Sequence, residues 1–273
     1  MKYLIKAEVY KLRISKLFRF FLIASFCSSF ASVIVIKMLG SYVSDAPQEM
    51  LDKMLSNGVY NFGFIQVADI SDMVHMTSGL AISSAFKNFF TIIFSATFVS
   101  MYLMDEYKNG GIRNFIIKGY SRNKVLFSKY ITTVVALVLF LLVYFVGYCC
   151  TAIIMFDPSP MSGAGITQFI LFFIIQVFLI VSFASICFAT AIFTQRVSIV
   201  ILNAGMVLLG EMAINIMNLL TKGNLDLSKI WVLSYVMKQT PDNLMWISLF
   251  VGAIFIVSSL FLAIKRFKRM EFS

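Results

Sequence analysis

Leu17 to Ile36 is a run of 20 residues with a single charge, Arg19, and five further apolar stretches follow at about 86–104, 126–155, 166–193, 197–219 and 245–264. A helix needs about 20 apolar residues to cross a bilayer core, and a spanning segment must satisfy its backbone amides internally. These runs constrain the chain to an all-α, polytopic membrane protein with six transmembrane helices. The 273 residues leave room for short connections but not for a separate soluble domain, so 1–273 reads as a single transmembrane domain. Its 13% of charged residues lies far below the roughly 25% of soluble domains.

Six spans put both termini on the same side, and the basic residues say which side that is. Seventeen of the 23 lysines and arginines fall in residues 1–19, in the loop 105–129, at Arg196 or in the tail from Lys265 to Arg269. Eight of the 13 acids fall on the opposite side, in the loops 37–85 and 220–244 and at the 157–160 turn. By the positive-inside rule the termini and the 105–129 loop are cytoplasmic. The net charge of +10 is thus a matter of topology, and basic clusters confined to the flanks of apolar runs argue against a nucleic-acid partner.

The connections carry their own signals. Residues 1–16 alternate apolar and basic faces, as an interfacial helix along the inner membrane surface does. Residues 45–54 read as a short helix with Pro47 in its first turn, and Asn57-Gly58 and Asn61-Phe62-Gly63 read as turns. Only Thr194 to Arg196 separate the fourth and fifth runs, which predicts a close hairpin, and residues 222–243 predict one or two short helices lying at the outer surface or dipping into it.

No catalytic constellation is visible. His75 is the sole histidine, which excludes multi-histidine metal sites within one chain. Gly205 and Gly210 have the spacing of a phosphate-binding loop, but Glu211 stands where lysine is required. Cys27, Cys149, Cys150 and Cys187 all lie in apolar runs and read as small packing residues. Glu211 is an acid inside an apolar run, either a pathway group or a structural partner of Asn215 or Lys222.

The loop 105–129 is more specific. Asn109, Gly110 and Gly111 permit a sharp change of direction. Ile112, Phe115 and Ile116 with Arg113, Asn114 and Lys118 make one short amphipathic helix, and Gly119 can stop it. Such a helix, with Phe115 and Ile116 on one face, suits insertion into a groove of another protein.

Glu106, the run Gly110-Gly111-Ile112-Arg113-Asn114, then Gly119-Tyr120-Ser121-Arg122 and Lys129, within six spans preceded by an amphipathic helix, resemble the permease subunits of type-2 ATP-binding-cassette (ABC) exporters. The resemblance implies that residues 1–16 are the elbow helix and that Asn109 to Gly119 dock on a separate ATPase subunit. It implies that ATP and Mg are bound by that partner, with no cofactor in this chain, and that a second permease chain, identical or related, completes the pathway in the lipid bilayer of a bacterial plasma membrane. The substrate implied is an amphipathic molecule such as a peptide, bacteriocin or drug, moved outward. An ion- or proton-coupled secondary transporter is the alternative. That reading calls for more buried ionisable groups and internal repeats.

Overall fold

The computed structural model describes residues 2–44, 60–62, 65–67, 77–83, 85, 89–157, 163–196, 198–220, 231–237 and 242–270. The helices are α1 (Lys2–Ile14), α2 (Lys16–Ser44), α3 (Ser78–Ser83), α4 (Phe89–Lys108), α5 (Gly111–Ile117), α6 (Arg122–Met155), α7 (Gly163–Thr194), α8 (Ile199–Leu220), α9 (Val232–Met237) and α10 (Asp242–Lys268). Six of them, α2, α4, α6, α7, α8 and α10, lie on the six apolar runs. Among the described residues four helices are long and apolar enough to cross a membrane by length and composition: 16–41, 122–155, 173–194 and 246–268.

Tyr60–Phe62 (β1) and Ile65–Val67 (β2) pair antiparallel, with Tyr60 opposite Val67 and Phe62 opposite Ile65. Aromatic and β-branched residues alternate across this stretch, which favours extended backbone. Of the expected turn at Asn61-Phe62-Gly63, Asn61 and Phe62 belong to the first strand, and Gly63 lies outside the described residues. The expected helix at 45–54, the turn at Asn57-Gly58 and His75 lie outside the described residues.

The chain divides into two compact units. The first comprises residues 1–21, 92–139 and 175–273. In it α1 turns Leu4, Glu8 and Leu12 inward, one residue per helical turn. Ser15 breaks the chain between α1 and α2 and caps α2, its hydroxyl accepting the Phe18 amide at 3.4 Å. Phe18 and Phe21 then pack on Phe98, and Phe21 also on Phe94. Residues 195–198 separate α7 from α8, and Gln195 takes a left-handed conformation (φ 52) with its backbone amide reaching the Ala191 carbonyl. In the short helix α9 Val232, Leu233, Ser234, Tyr235 and Val236 are buried. Beside it Trp231 lies edge-on to Phe183 and Phe255.

The second unit comprises residues 22–91 and 140–174. Here small and hydroxylated residues draw helices together, as in membrane interiors, where close backbone approach replaces hydrophobic driving force. The Ser25 hydroxyl donates across to the Phe140 carbonyl at 3.0 Å, Tyr144 donates to Ser32, and a Cβ at Gly147 would overlap the Ser29 hydroxyl. Lys37, expected to end the first span, lies inside α2, which runs on to Ser44. Its ammonium reaches the Met155 carbonyl at the end of α6, at 2.9 Å, so the charge caps a neighbouring helix instead of terminating its own.

Candidate functional site: a short helix held by a buried charge cluster

Two residues join α4 to α5. Asn109 continues the α4 ladder by donating to the Asp105 carbonyl, and Gly110 donates to Tyr107 while standing at φ 63. Gly110 thus closes one helix and caps the next, its carbonyl accepting the Asn114 amide at 2.9 Å. At the other end the Gly119 amide bonds Ile116 and the Tyr120 amide bonds Phe115, with Gly119 at φ 85. This is the Schellman arrangement, completed by the ring contact of Phe115 with Tyr120 at 6.1 Å.

The faces of α5 differ from the sequence expectation. Ile112 is 3% exposed and anchors the helix from within, while Phe115 and Ile116 are half-buried. Arg113, Asn114, Lys118 and Gly119 are exposed, and the apolar side chain they surround is Ile117, at 70%. Arg122, the first residue of α6, donates to the carbonyls of Lys268 and Met270, both at 2.7 Å, and so satisfies the open C-terminal end of α10.

Beneath α5 lies a cluster that sequence reasoning did not anticipate. Lys129 of α6, 2% exposed, meets Glu8 of α1 at 2.5 Å and Glu106 of α4 at 2.6 Å. Lys11 of α1 meets the other Glu106 oxygen at 2.7 Å. Tyr102 lies 3.5 Å from Glu8, and the Lys129 ammonium also stands 5.7 Å from the Phe115 ring centroid. Two carboxylates and two ammoniums compensate one another, with Lys11 reaching in from the solvent side, which lets Glu8, Glu106 and Lys129 share an interior that would reject any of them singly. Gly111 is packed so closely that a Cβ there would overlap Glu106 Oε2. The cluster joins α1, α4 and α6 under the first turn of α5. The one local hint was Glu8 itself, spaced four residues from Leu4 and from Leu12 on the apolar face of α1.

A second polar node sits deeper in the first unit. Asn203 of α8 is fully buried; its amide donates to Ser100 of α4 at 2.7 Å and to the Cys187 carbonyl of α7 at 3.3 Å, and its oxygen accepts from Thr190. Ser100 and Thr190 also bond carbonyls of their own helices, so both keep a partner without Asn203. Asn203→Leu is therefore expected to cost only about 0.6–1.7 kcal/mol, the range of interhelical hydrogen bonds in membrane proteins. Thermal unfolding in detergent reads it, and a much larger loss means Asn203 does more than link helices. Glu211 lies on the helical backbone of α8, and its side chain is outside the described residues.

Over residues 4–210, more than half of its length, the chain matches the family described as ABC-2 family transporter protein, and it belongs to that family. It is a multi-pass membrane protein and the membrane transport component of an ABC transporter, a class that lacks the ATPase domain and associates with ABC ATPase subunits. No curated protein matches it significantly. The match takes in α5, the charge cluster and Asn203, and stops one residue before Glu211.

Proposed function

We propose that this chain is the permease of an ATP-driven exporter, with α5 as the coupling helix that receives motion from a separate ATPase subunit. The observation that carries the reading is the construction of α5. Its outward face offers Ile117 ringed by Arg113, Asn114 and Lys118, while its base rests on ion pairs from three other helices. An apolar anchor within a polar rim is the pattern of a protein contact. A base tied to α1, α4 and α6 hands any push on α5 to those helices together. The remaining parts follow from the sequence: six spans, both termini and α5 on the cytoplasmic side, and two chains, identical or related, enclosing the pathway in a bacterial plasma membrane. ATP and Mg belong to the ATPase pair, and an amphipathic substrate, such as a peptide, bacteriocin or drug, moves outward.

Ile117→Asp tests the coupling contact with little risk to the fold, because the side chain is mostly in solvent. A buried hot-spot residue contributes about 2 kcal/mol or more, so capture of the ATPase by the tagged permease should fall at least about 30-fold. ATP-dependent substrate accumulation in inside-out vesicles should fall with it. Unchanged capture and transport in Ile117→Asp would remove α5 from the interface.

A further inference from the structure

The bend between α1 and α2 encloses a cleft of about 500 Å³ lined by Tyr10, Lys11, Ile14, Ser15, Lys16, Leu17 and Asp105. That volume is within the roughly 300–1,000 Å³ of small-ligand sites. We propose that this cleft binds the headgroup of one anionic membrane phospholipid, of the phosphatidylglycerol kind, as a discrete ligand.

The lining has two chemically distinct parts. Lys11 and Lys16 supply ammonium donors, and Tyr10 and Ser15 supply hydroxyls, the donors that a phosphodiester accepts. Lys11 Nζ is committed to Glu106 through one contact and has three hydrogens to give. Lys16 is exposed and joins no ion pair among the described residues. Asp105 is the acid in the lining, and Asn109 donates to one of its oxygens at 2.9 Å. A carboxylate beside the phosphate position repels a second phosphate but accepts hydrogen bonds from the hydroxyls of a glycerol headgroup. Lys11 is balanced by Glu106 and Lys16 shares the lining with Asp105, so the positive excess that a phosphodiester meets comes from the exposed Lys6 and Arg13 on the adjoining surface of α1. Ile14 and Leu17 provide the apolar part, for the upper ends of acyl chains.

The surface that continues from the cleft has the same character. Tyr3, Lys6, Tyr10, Arg13, Ile14 and Leu17 succeed one another at spacings of three, four, three, one and three residues, which places them along one side of the bend. Tyr3 is 85% exposed, Tyr10 68% and Ile14 54%. Tyrosines and basic residues together on one face are the composition of segments that lie at the headgroup level of a membrane. The inference rests on the reading of α1 as an interfacial elbow and does not require α5 to contact an ATPase.

Native mass spectrometry of the full-length permease, purified without ATPase and equilibrated with phosphatidylcholine, phosphatidylethanolamine or phosphatidylglycerol of identical chains, tests it directly. One phosphatidylglycerol should stay bound per chain under conditions that strip the other two. Lys16→Gln should weaken retention about fivefold, the effect of one basic residue on an anionic lipid surface, while Lys124→Gln, an exposed charge on α6, should leave it unchanged. Equal retention of all three lipids in the unmodified protein overturns the proposal without any variant. Equal weakening by Lys124→Gln also overturns it, since the attraction would then be diffuse. Displacement of the lipid by soluble glycerol phosphate would reassign the cleft to a soluble anion. Because the ATPase is absent, none of these results bears on the coupling reading.

Discussion

Lys129→Met is expected to reduce the yield of folded protein more than any other single change near α5. The methionine fills much of the volume of the lysine stem, so the substitution chiefly removes a charge. What remains is a pair of carboxylates, Glu8 and Glu106, each at most 2% exposed and each having had the same ammonium within 2.6 Å. Lys11 still reaches Glu106, but among the described residues Glu8 keeps only the long contact from Tyr102. Removing one partner of a buried ion pair costs about 3–5 kcal/mol because the other charge stays behind, against a total stability of about 5–15 kcal/mol for an ordinary domain. The physical cause is checked by the triple variant Glu8→Gln, Glu106→Gln, Lys129→Met. It takes both buried carboxylates away together with the ammonium and leaves Lys11 half in solvent, so it should recover most of the lost stability. Chromatographic yield of monodisperse protein and thermal unfolding in detergent read both variants. If Lys129→Met unfolds as the unmodified protein does, the cluster does not hold the base of α5. If the triple variant is no better than the single one, packing rather than charge is at stake.

This cluster also shows where sequence reading reaches its limit. Apolar runs of about 20 residues announce helices, because length and hydropathy act locally, and α2, α4, α6, α7, α8 and α10 lie where the runs place them. The glycines at 110 and 119 bracketed α5 for the same reason: a left-handed residue at each end is a local demand, met here at φ 63 and 85. Nothing local pairs Glu8 with Lys129, 121 positions apart. Both residues contributed to a charge count, and that count speaks of the side of the membrane, not of partners. The choice of Phe115 and Ile116 as the outward face of α5 had a similar origin. In a helix of two turns with four apolar side chains, any of them can face inward, and the neighbours decide. The charge cluster and Gly111 take the side that buries Ile112, the Schellman contact draws Phe115 toward Tyr120, and Ile117 is left outside. The strand pair 60–62 and 65–67 is not announced by the sequence, because Asn61 and Phe62 read with Gly63 as a turn, although Tyr60 and Phe62 flank Asn61 as alternate residues of a strand do.

Gly111→Ala and Gly110→Ala are expected to destabilise the protein for different reasons, and a double-mutant cycle with Glu106→Asp separates them. At Gly111 the backbone is ordinary, and the difficulty is space. A Cβ would overlap Glu106 Oε2 and approach Lys11 Nζ to 2.8 Å. Lys11, partly in solvent, can swing aside, but Glu106 is buried and tied to Lys129, so the methyl group must displace either the carboxylate or the first turn of α5. Overpacking of this kind costs about 1–3 kcal/mol. At Gly110 nothing lies within 4 Å of the added carbon, and only the left-handed backbone resists, at about 1–2 kcal/mol. Glu106→Asp withdraws the carboxylate by one methylene. It should therefore return part of the loss in Gly111→Ala, giving a favourable coupling of about 0.5 kcal/mol or more, the scale seen for residues in contact. Combined with Gly110→Ala it should simply add. Asparagine, which tolerates the left-handed region, should be milder than alanine at 110 and no milder at 111. Additive behaviour of Gly111→Ala with Glu106→Asp would mean that the glycine is not kept for the carboxylate beneath it. The helix α5 would then rest on its own caps and not on the charges below.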